Sequence, residues 1–246
     1  MFLEFDRIEN VRDLGGLTRP DGARIREGHL LRTGHLGRAT EADIKKLREL
    51  GVALVIDLRD KGEVDRTPDR EGPGAKHFHL PALRDLWSLF PRMDTATPRQ
   101  THQAFHEMYR YMALLPEAID AYGMFFREIL SAEGKPILFH CTQGKDRTGA
   151  GGMLLLSALG FDQETAIREY LLTNAFAQTQ LDGLRLARAS EEEIALMSEI
   201  FPVFEENARY YFDCIRIEYG SMEVYLELAL GVNPEDIAKL EEYYLE

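Results

Sequence analysis

The residues with the most chemistry in them are consecutive: His140-Cys141-Thr142-Gln143-Gly144-Lys145-Asp146-Arg147-Thr148-Gly149, between a short apolar run and a helical pattern. A loop closing over a helix N-terminus turns successive backbone N–H groups inward, and with the helix dipole they form a cup for an oxyanion. Phosphate is its natural guest. A thiol at the base of that cup is driven toward thiolate, because cysteine pKa values at helix N-termini fall from about 8.5 to roughly 3.5–7.5. Cys141 is therefore expected to be a nucleophile at neutral pH. Arg147, in the first turn of the helix, can set its planar fork on two phosphate oxygens and help hold the thiolate charged. Thr148 can donate its hydroxyl hydrogen to the sulfur when the sulfur departs. Gly144 permits a positive φ or a close backbone approach, and Gly149 lets the helix start pack tightly. The expected phosphate-binding set is Thr142, Gln143, Gly144, Lys145 and Gly149, joined by Arg59.

Breaking a phosphate ester also needs a proton for the leaving oxygen, which neither cysteine nor arginine supplies. Asp146, inside the loop, would be repelled by bound phosphate and so kept protonated, the state a general acid needs. Asp85, in a poorly patterned insertion, is the second candidate. Asp146 could instead be a helix N-terminal charge and Asp85 a solvated loop residue. Asp57 reads as a buried hydrogen-bond acceptor at the sheet edge. Lys145 adds a second cation to the loop, which suits a substrate more anionic than phosphotyrosine, such as an inositol phosphate headgroup; alternatively it faces solvent. Arg32 and Arg59, at strand ends, either face the site or pair with Asp57 or Glu63.

These groups need a scaffold. Apolar runs at 53–58 and 136–140 are rich in branched residues, as strands buried on both faces of a parallel sheet are, and 29–32 and 77–80 are weaker strand candidates. Helical patterns lie at 42–50, 116–130 and 147–159, each closed near a glycine. Alternation of strand and helix predicts an α/β layer, and parallel strands would bring Asp57–Asp60 and Asp85 to the edge that carries the Cys141 loop. Past Phe161 the strand signals stop. Helical periodicity follows at 163–172, 191–200, 202–218, 221–230 and 234–245, a helical C-terminal third packed on the sheet or acting as a lid. The stretch 84–106 reads as irregular or partly helical. One domain over 1–246 is expected, with cover segments within 84–112 and 175–218.

Composition narrows the partners. The formal net charge of −13 argues against a nucleic-acid binder or a polybasic membrane-surface protein. Two cysteines are too few for a disulfide scaffold, and Cys214, in a helical pattern, reads as core. The first ten residues lack a leader's basic start and apolar stretch, and no apolar run reaches the roughly 20 residues of a membrane span. A cytoplasmic location is the simplest expectation, with leaderless export left open. His77-x-His79 and His102-x3-His106 have metal-friendly spacing but no evident third ligand, and no metal or cofactor is expected. Tyr109, Tyr111 and Tyr122 read as packing. A Walker loop is excluded because Asp146 follows Gly144-Lys145, and no Gly-x-Ser-x-Gly elbow occurs.

The loop resembles that of the bacterial tyrosine and phosphoinositide phosphatases typified by mycobacterial protein tyrosine phosphatase B and the Listeria lipid phosphatase. The similarity extends to Asn10-Val-Arg-Asp-Leu-Gly-Gly16, Gly28-His-Leu-Leu-Arg-Thr33, Val55-Ile-Asp-Leu-Arg59, Glu169-Tyr-Leu-Leu-Thr-Asn174 and Tyr219-Gly-Ser-Met-Glu-Val-Tyr-Leu226. It implies a tyrosine-phosphatase-like fold, a central mostly parallel sheet flanked by helices with a helical cover. It favours Asp146 as the acid, while Asp85 falls where related phosphatases carry a mobile acid loop. The implied substrates are phosphotyrosine proteins, phosphoserine or phosphothreonine proteins and phosphoinositides, cleaved through a phosphocysteine. The rival readings are a catalytically weak phosphate-recognition module on the same fold and a sulfur-transfer enzyme.

Overall fold

The computed structural model describes residues 1–70, 74–84 and 97–246. The strands β1 (Arg12–Asp13), β2 (Leu30–Thr33), β3 (Leu54–Asp57), β4 (Lys76–His79) and β5 (Ile137–His140) form one sheet in the order β1-β2-β5-β3-β4. Only β1 runs antiparallel; Thr33, Asp57, His79 and His140 end their parallel strands at one edge. The expected α/β architecture is the observed one. Alternation explains why the short apolar runs became its centre. Leu54, Ile56, Ile137 and Phe139 enter the larger core with α4 (Pro116–Ser131) and α5 (Asp146–Ala158), while Leu31, Val55 and Leu138 enter the smaller one with α1 (Glu41–Glu49). Both faces are thereby dry, and the loop after β5 has a fixed base.

Two helices were hidden from periodicity by their own composition. Thr97-Pro98-Arg99-Gln100 reads as a break, yet it starts α3 (Pro98–Leu114). Thr97 and Gln100 exchange side-chain and backbone hydrogen bonds as a capping box, with proline at the first helical position, where its missing N–H costs nothing. Residues 98–106, the end of the stretch read as irregular or partly helical, therefore lie on a helix. In α7 (Thr173–Leu186) only Thr173, Ala177 and Leu181 are buried, a stripe too narrow and too small to register as amphipathic.

The remaining helices are α2 (Lys61–Arg66), α6 (Gln163–Leu171), α8 (Glu191–Ile200), α9 (Glu205–Tyr219), α10 (Met222–Val224) and α11 (Pro234–Tyr244). The pattern at 221–230 resolves into α10 and a π-helical turn, Tyr225–Ala229. Helix α3 packs on both α8 and α9 beside the Cys141 loop, and α8 buries no residue fully. Among the described residues, no helix is long and apolar enough to cross a membrane.

Candidate active site

The loop from Cys141 to Lys145 joins β5 to α5, and its conformation is set from behind. His35 N–H bonds the Thr142 carbonyl at 3.1 Å. Asn10 Nδ2 donates to the carbonyls of Gln143 (3.0 Å) and Gly144 (3.2 Å). Arg32 donates to those of Gly144 (2.8 Å) and Lys145 (3.4 Å). In a trans peptide the N–H points opposite to the C=O, and no peptide bond here is cis. Four carbonyls held outward therefore turn the N–H groups of Gln143, Gly144, Lys145 and Asp146 the other way, into the cup. Gly144 is required on two counts. Its φ is +68°, and a Cβ there would lie 2.4 Å from the Thr33 carbonyl.

The groups that hold the loop are themselves tied down. Glu169 on α6 sits between Arg12 (2.9 Å) and Arg32 (2.5 Å), and Arg12 also reaches Thr173 Oγ1 (3.0 Å) and Asn10 Oδ1. Burial and the like charge of Arg32 pull the Arg12 guanidinium down to about 10, so this network depends on Glu169. Asn10 adopts φ +56°, a left-handed conformation that asparagine tolerates. The segment Asn10–Gly16 thus gains individual roles that its sequence did not disclose.

At the base of the cup Cys141 is buried. Burial alone would push its thiol up, but the Arg147 charge, the Thr148 hydroxyl and the Thr148 backbone N–H outweigh it, and the thiol is held below its ordinary range. The buried Thr148 hydroxyl has no other hydrogen bond, which leaves it for the sulfur. His140, wholly buried, has Nε2 3.0 Å from Asp69 and Nδ1 3.8 Å from Asp57. Burial disfavours its charge, yet the two carboxylates raise it above the usual histidine value. The imidazole ring sits directly before the nucleophile, its Nδ1 3.2 Å from the Cys141 carbonyl oxygen.

Arg147 reaches Glu63 through both terminal nitrogens, at 2.5 and 2.9 Å. Glu63 also accepts from Thr142 Oγ1 (2.5 Å) and Asp60 N–H (3.0 Å). Its position comes from a local device, the capping box between Asp60 and Glu63 that starts α2. Clamping two terminal N–H bonds leaves Arg147 its Nε–H and outer N–H bonds for phosphate. Burial pushes the Glu63 carboxyl up, but the Arg147 fork and the two other donors bring it down to about 2. A folded-state value below the ordinary 4.5 stabilises the fold above that pH, and the contribution fades as pH falls from about 4.5 toward 2. Glu63→Gln, which breaks a buried pair, is expected to cost about 3 kcal/mol at neutral pH and to flatten that acid limb. Urea unfolding between pH 2 and pH 7 measures both; an unchanged acid limb would show that Glu63 is not the group that titrates.

Three expectations change. Arg59 does not line the cup: it is buried with its guanidinium on Asp57 (2.7 Å), Asp69 (2.9 Å) and the Thr67 carbonyl (2.8 Å), and Asp57 serves as the sheet-edge acceptor. Asp57, Asp69 and His140 offer ligand atoms within 4.8 Å of one another, a spacing a cation could use, but Arg59 already bridges the two carboxylates. Lys145 does not face solvent. Its ammonium meets the Ile200 carbonyl at the C-terminal end of α8 and lies 4.7 Å from the Phe105 ring on α3. Arg32 supports the loop from behind. Asp85 lies outside the described residues.

Asp146 opens α5 with its carboxylate against the Tyr109 hydroxyl (2.8 Å) and 3.7 Å from the Lys145 ammonium. Tyr122 donates to the Arg147 carbonyl (2.9 Å), and the Gly149 position is filled by the Tyr170 ring, 2.8 Å from where a Cβ would stand. Cys214 is buried, and burial raises its thiol, as suits a core residue. The sequence gives Asp69 no role, offers Glu63 only as a partner for a strand-end arginine and reads Tyr109 as packing; the Asp60-x-x-Glu63 capping box is the one local signal among them.

A buried thiol held below its ordinary range beneath inward-facing amides, on a mostly parallel sheet covered by helices, is a site built to hold an oxyanion against a sulfur. Comparison with known proteins makes the family definite. The sequence matches the tyrosine phosphatase family over residues 3–246, and the chain belongs to that family. A Cupriavidus necator protein named as a tyrosine-protein phosphatase is 36% identical over 99% of this chain and 88% of its own length. The triple specificity protein phosphatase PtpB of Mycobacterium tuberculosis is 31% identical over 61% of this chain and 62% of its own. Among solved structures, TpbA of P. aeruginosa is 15% identical, with 80% of this chain and 94% of its own covered at a TM-score of 0.35.

Proposed function

We propose that the protein is a cysteine-dependent phosphoric monoester hydrolase acting on phosphotyrosine in proteins through a phosphocysteine. The Cys141 thiolate attacks phosphorus in line with the ester oxygen. A sulfur–phosphorus bond forms, the phosphorus–oxygen bond breaks, and Asp146 gives its proton to the departing oxygen. The loop amides and Arg147 stabilise the charge on the equatorial oxygens. Water then attacks the phosphocysteine, Asp146 taking up a proton while Thr148 supports the leaving thiolate. The observation that carries this reading is the loop itself, whose four carbonyls are held outward so that its amides face inward around the buried Cys141.

Phosphoinositide monophosphates belong to the same proposed range, but the placement of Lys145 limits it. Its ammonium must leave Ile200 before it can meet a second phosphate. Phosphate release from phosphotyrosine peptide, phosphothreonine peptide and phosphatidylinositol phosphates, in reductant and EDTA, tests the reading. Phosphotyrosine is expected to lead. Binding of phosphotyrosine peptide with no release from any substrate would make the chain a recognition module instead.

A further inference from the structure

Asp146 is held by a chain of hydroxyls that the mechanism above does not use. The Tyr109 hydroxyl on α3 donates to Asp146 Oδ1 at 2.8 Å, and the Tyr170 hydroxyl on α6 lies 2.7 Å from that of Tyr109. The direction of the chain follows from its carboxylate end. A tyrosine hydroxyl has one hydrogen, and that of Tyr109 is given to Asp146 Oδ1, so the hydrogen in the contact between the two hydroxyls is that of Tyr170. Tyr170 therefore gives its hydrogen to Tyr109, and Tyr109 gives its own to the carboxylate. Both tyrosines are fully buried, and burial together with the nearby carboxylate keeps the Tyr109 hydroxyl protonated.

This chain bears on which oxygen carries the catalytic proton. Oδ1 accepts from Tyr109, which leaves Oδ2, 3.7 Å from the Lys145 ammonium, as the oxygen that can pass on a proton, and the carboxyl cannot turn about its last bond without giving up a buried hydrogen bond. A general acid must stand within about 2.6–3.2 Å of the oxygen it protonates, so fixing that rotation matters. A hydrogen bond to an ionised acceptor is also stronger than one to a neutral acceptor. As the proton leaves Oδ2 for the ester oxygen and the phosphorus–oxygen bond breaks, the Tyr109 hydroxyl meets a growing negative charge. Its contribution is thus larger in the transition state than in the ground state, which is what accelerates a reaction.

We propose that Tyr109 is a positioning residue for the general acid, orienting Asp146 and stabilising its carboxylate as the proton departs, with Tyr170 directing the Tyr109 hydroxyl. The inference rests on Asp146 being the acid. Its signature is dependence on the leaving group, because 2,4-dinitrophenolate departs without a proton and phenolate or tyrosinate does not. Tyr109→Phe keeps the ring contacts with Tyr170 and Tyr211 and removes one oxygen.

The test measures kcat/KM, which reports ester cleavage and not the later phosphocysteine hydrolysis that all substrates share, on phosphotyrosine, phenyl phosphate and 2,4-dinitrophenyl phosphate for wild type, Tyr109→Phe, Tyr170→Phe, Asp146→Asn and the Tyr109→Phe/Asp146→Asn double variant. Iodoacetamide alkylation of Cys141 checks that the cup is intact. Tyr109→Phe is expected to lower kcat/KM about tenfold on the first two substrates and less than about twofold on the third, with alkylation unchanged. Tyr170→Phe should show the same pattern more weakly, and the double variant should be no worse than Asp146→Asn alone. Equal losses on all three substrates, or additive losses in the double variant, would overturn the inference. A leaving-group effect in Asp146→Asn without one in Tyr109→Phe would overturn it while leaving the acid in place. Its absence in Asp146→Asn would remove the acid assignment and this inference with it.

Discussion

Cys141→Ser is expected to lower phosphate release from phosphotyrosine peptide by a factor on the order of 10⁴, with peptide binding retained. The serine oxygen can occupy the sulfur's place, but the forces that favour the thiolate cannot make an alkoxide of it at neutral pH. The Arg147 charge and the two Thr148 donors lower a thiol that begins within reach of neutrality; a hydroxyl begins far above it. Nothing else in the cup changes. The carbonyls of residues 142–145 stay on Asn10, Arg32 and His35, so the amides still face inward and still bind the phosphoryl group. Calorimetric titration of the variant with phosphotyrosine peptide, beside a release assay, separates the two properties. A variant that releases phosphate at the wild-type rate would place the nucleophile elsewhere.

How far the sequence could be read depends on whether a role is local or assembled. The β5-loop-α5 unit is contiguous, so its chemistry follows from neighbours along the chain, and the buried runs at 54–57 and 137–140 announce a two-faced sheet by composition alone. Arg59 shows where this ends. Its place at a strand end is compatible with the cup or with a pair to Asp57, and Asp57 together with Asp69, ten residues on, turns its guanidinium away from the cup. Tyr109 lies 37 residues from Asp146, and the helix that carries it is masked by a proline and threonines that serve as its cap. Its neighbours Tyr111 and Tyr122 share its spacing, so periodicity gives all three the same reading, core. That reading holds for the rings and misses the hydroxyls. Polar atoms on buried aromatic rings are where a pattern-based account is blind, because the pattern scores the ring and the function uses the oxygen.

Glu63 illustrates a middle case and leads to the second large effect. A capping box is legible in sequence, but it specifies the start of a helix and says nothing of a second use for its acid. Here one carboxylate closes the α2 cap, accepts from Thr142 and clamps Arg147. Arg147 must therefore satisfy a fork of two oxygens on one side while presenting the rest of its plane to phosphate. Arg147→Lys tests whether charge or plane matters. An ammonium keeps a cation near Cys141, so the thiol should stay depressed, and its alkylation rate between pH 5 and pH 9 should move little. It cannot hold Glu63 bidentately and bind two phosphate oxygens at once. Turnover is expected to fall about 10³-fold, the scale on which loss of transition-state donors is felt, with thiolate formation nearly intact. A comparable collapse of both would mean that Arg147 acts chiefly by ionising the sulfur. Full turnover in the lysine variant would remove the fork from the mechanism and leave the loop amides to carry the equatorial charge alone.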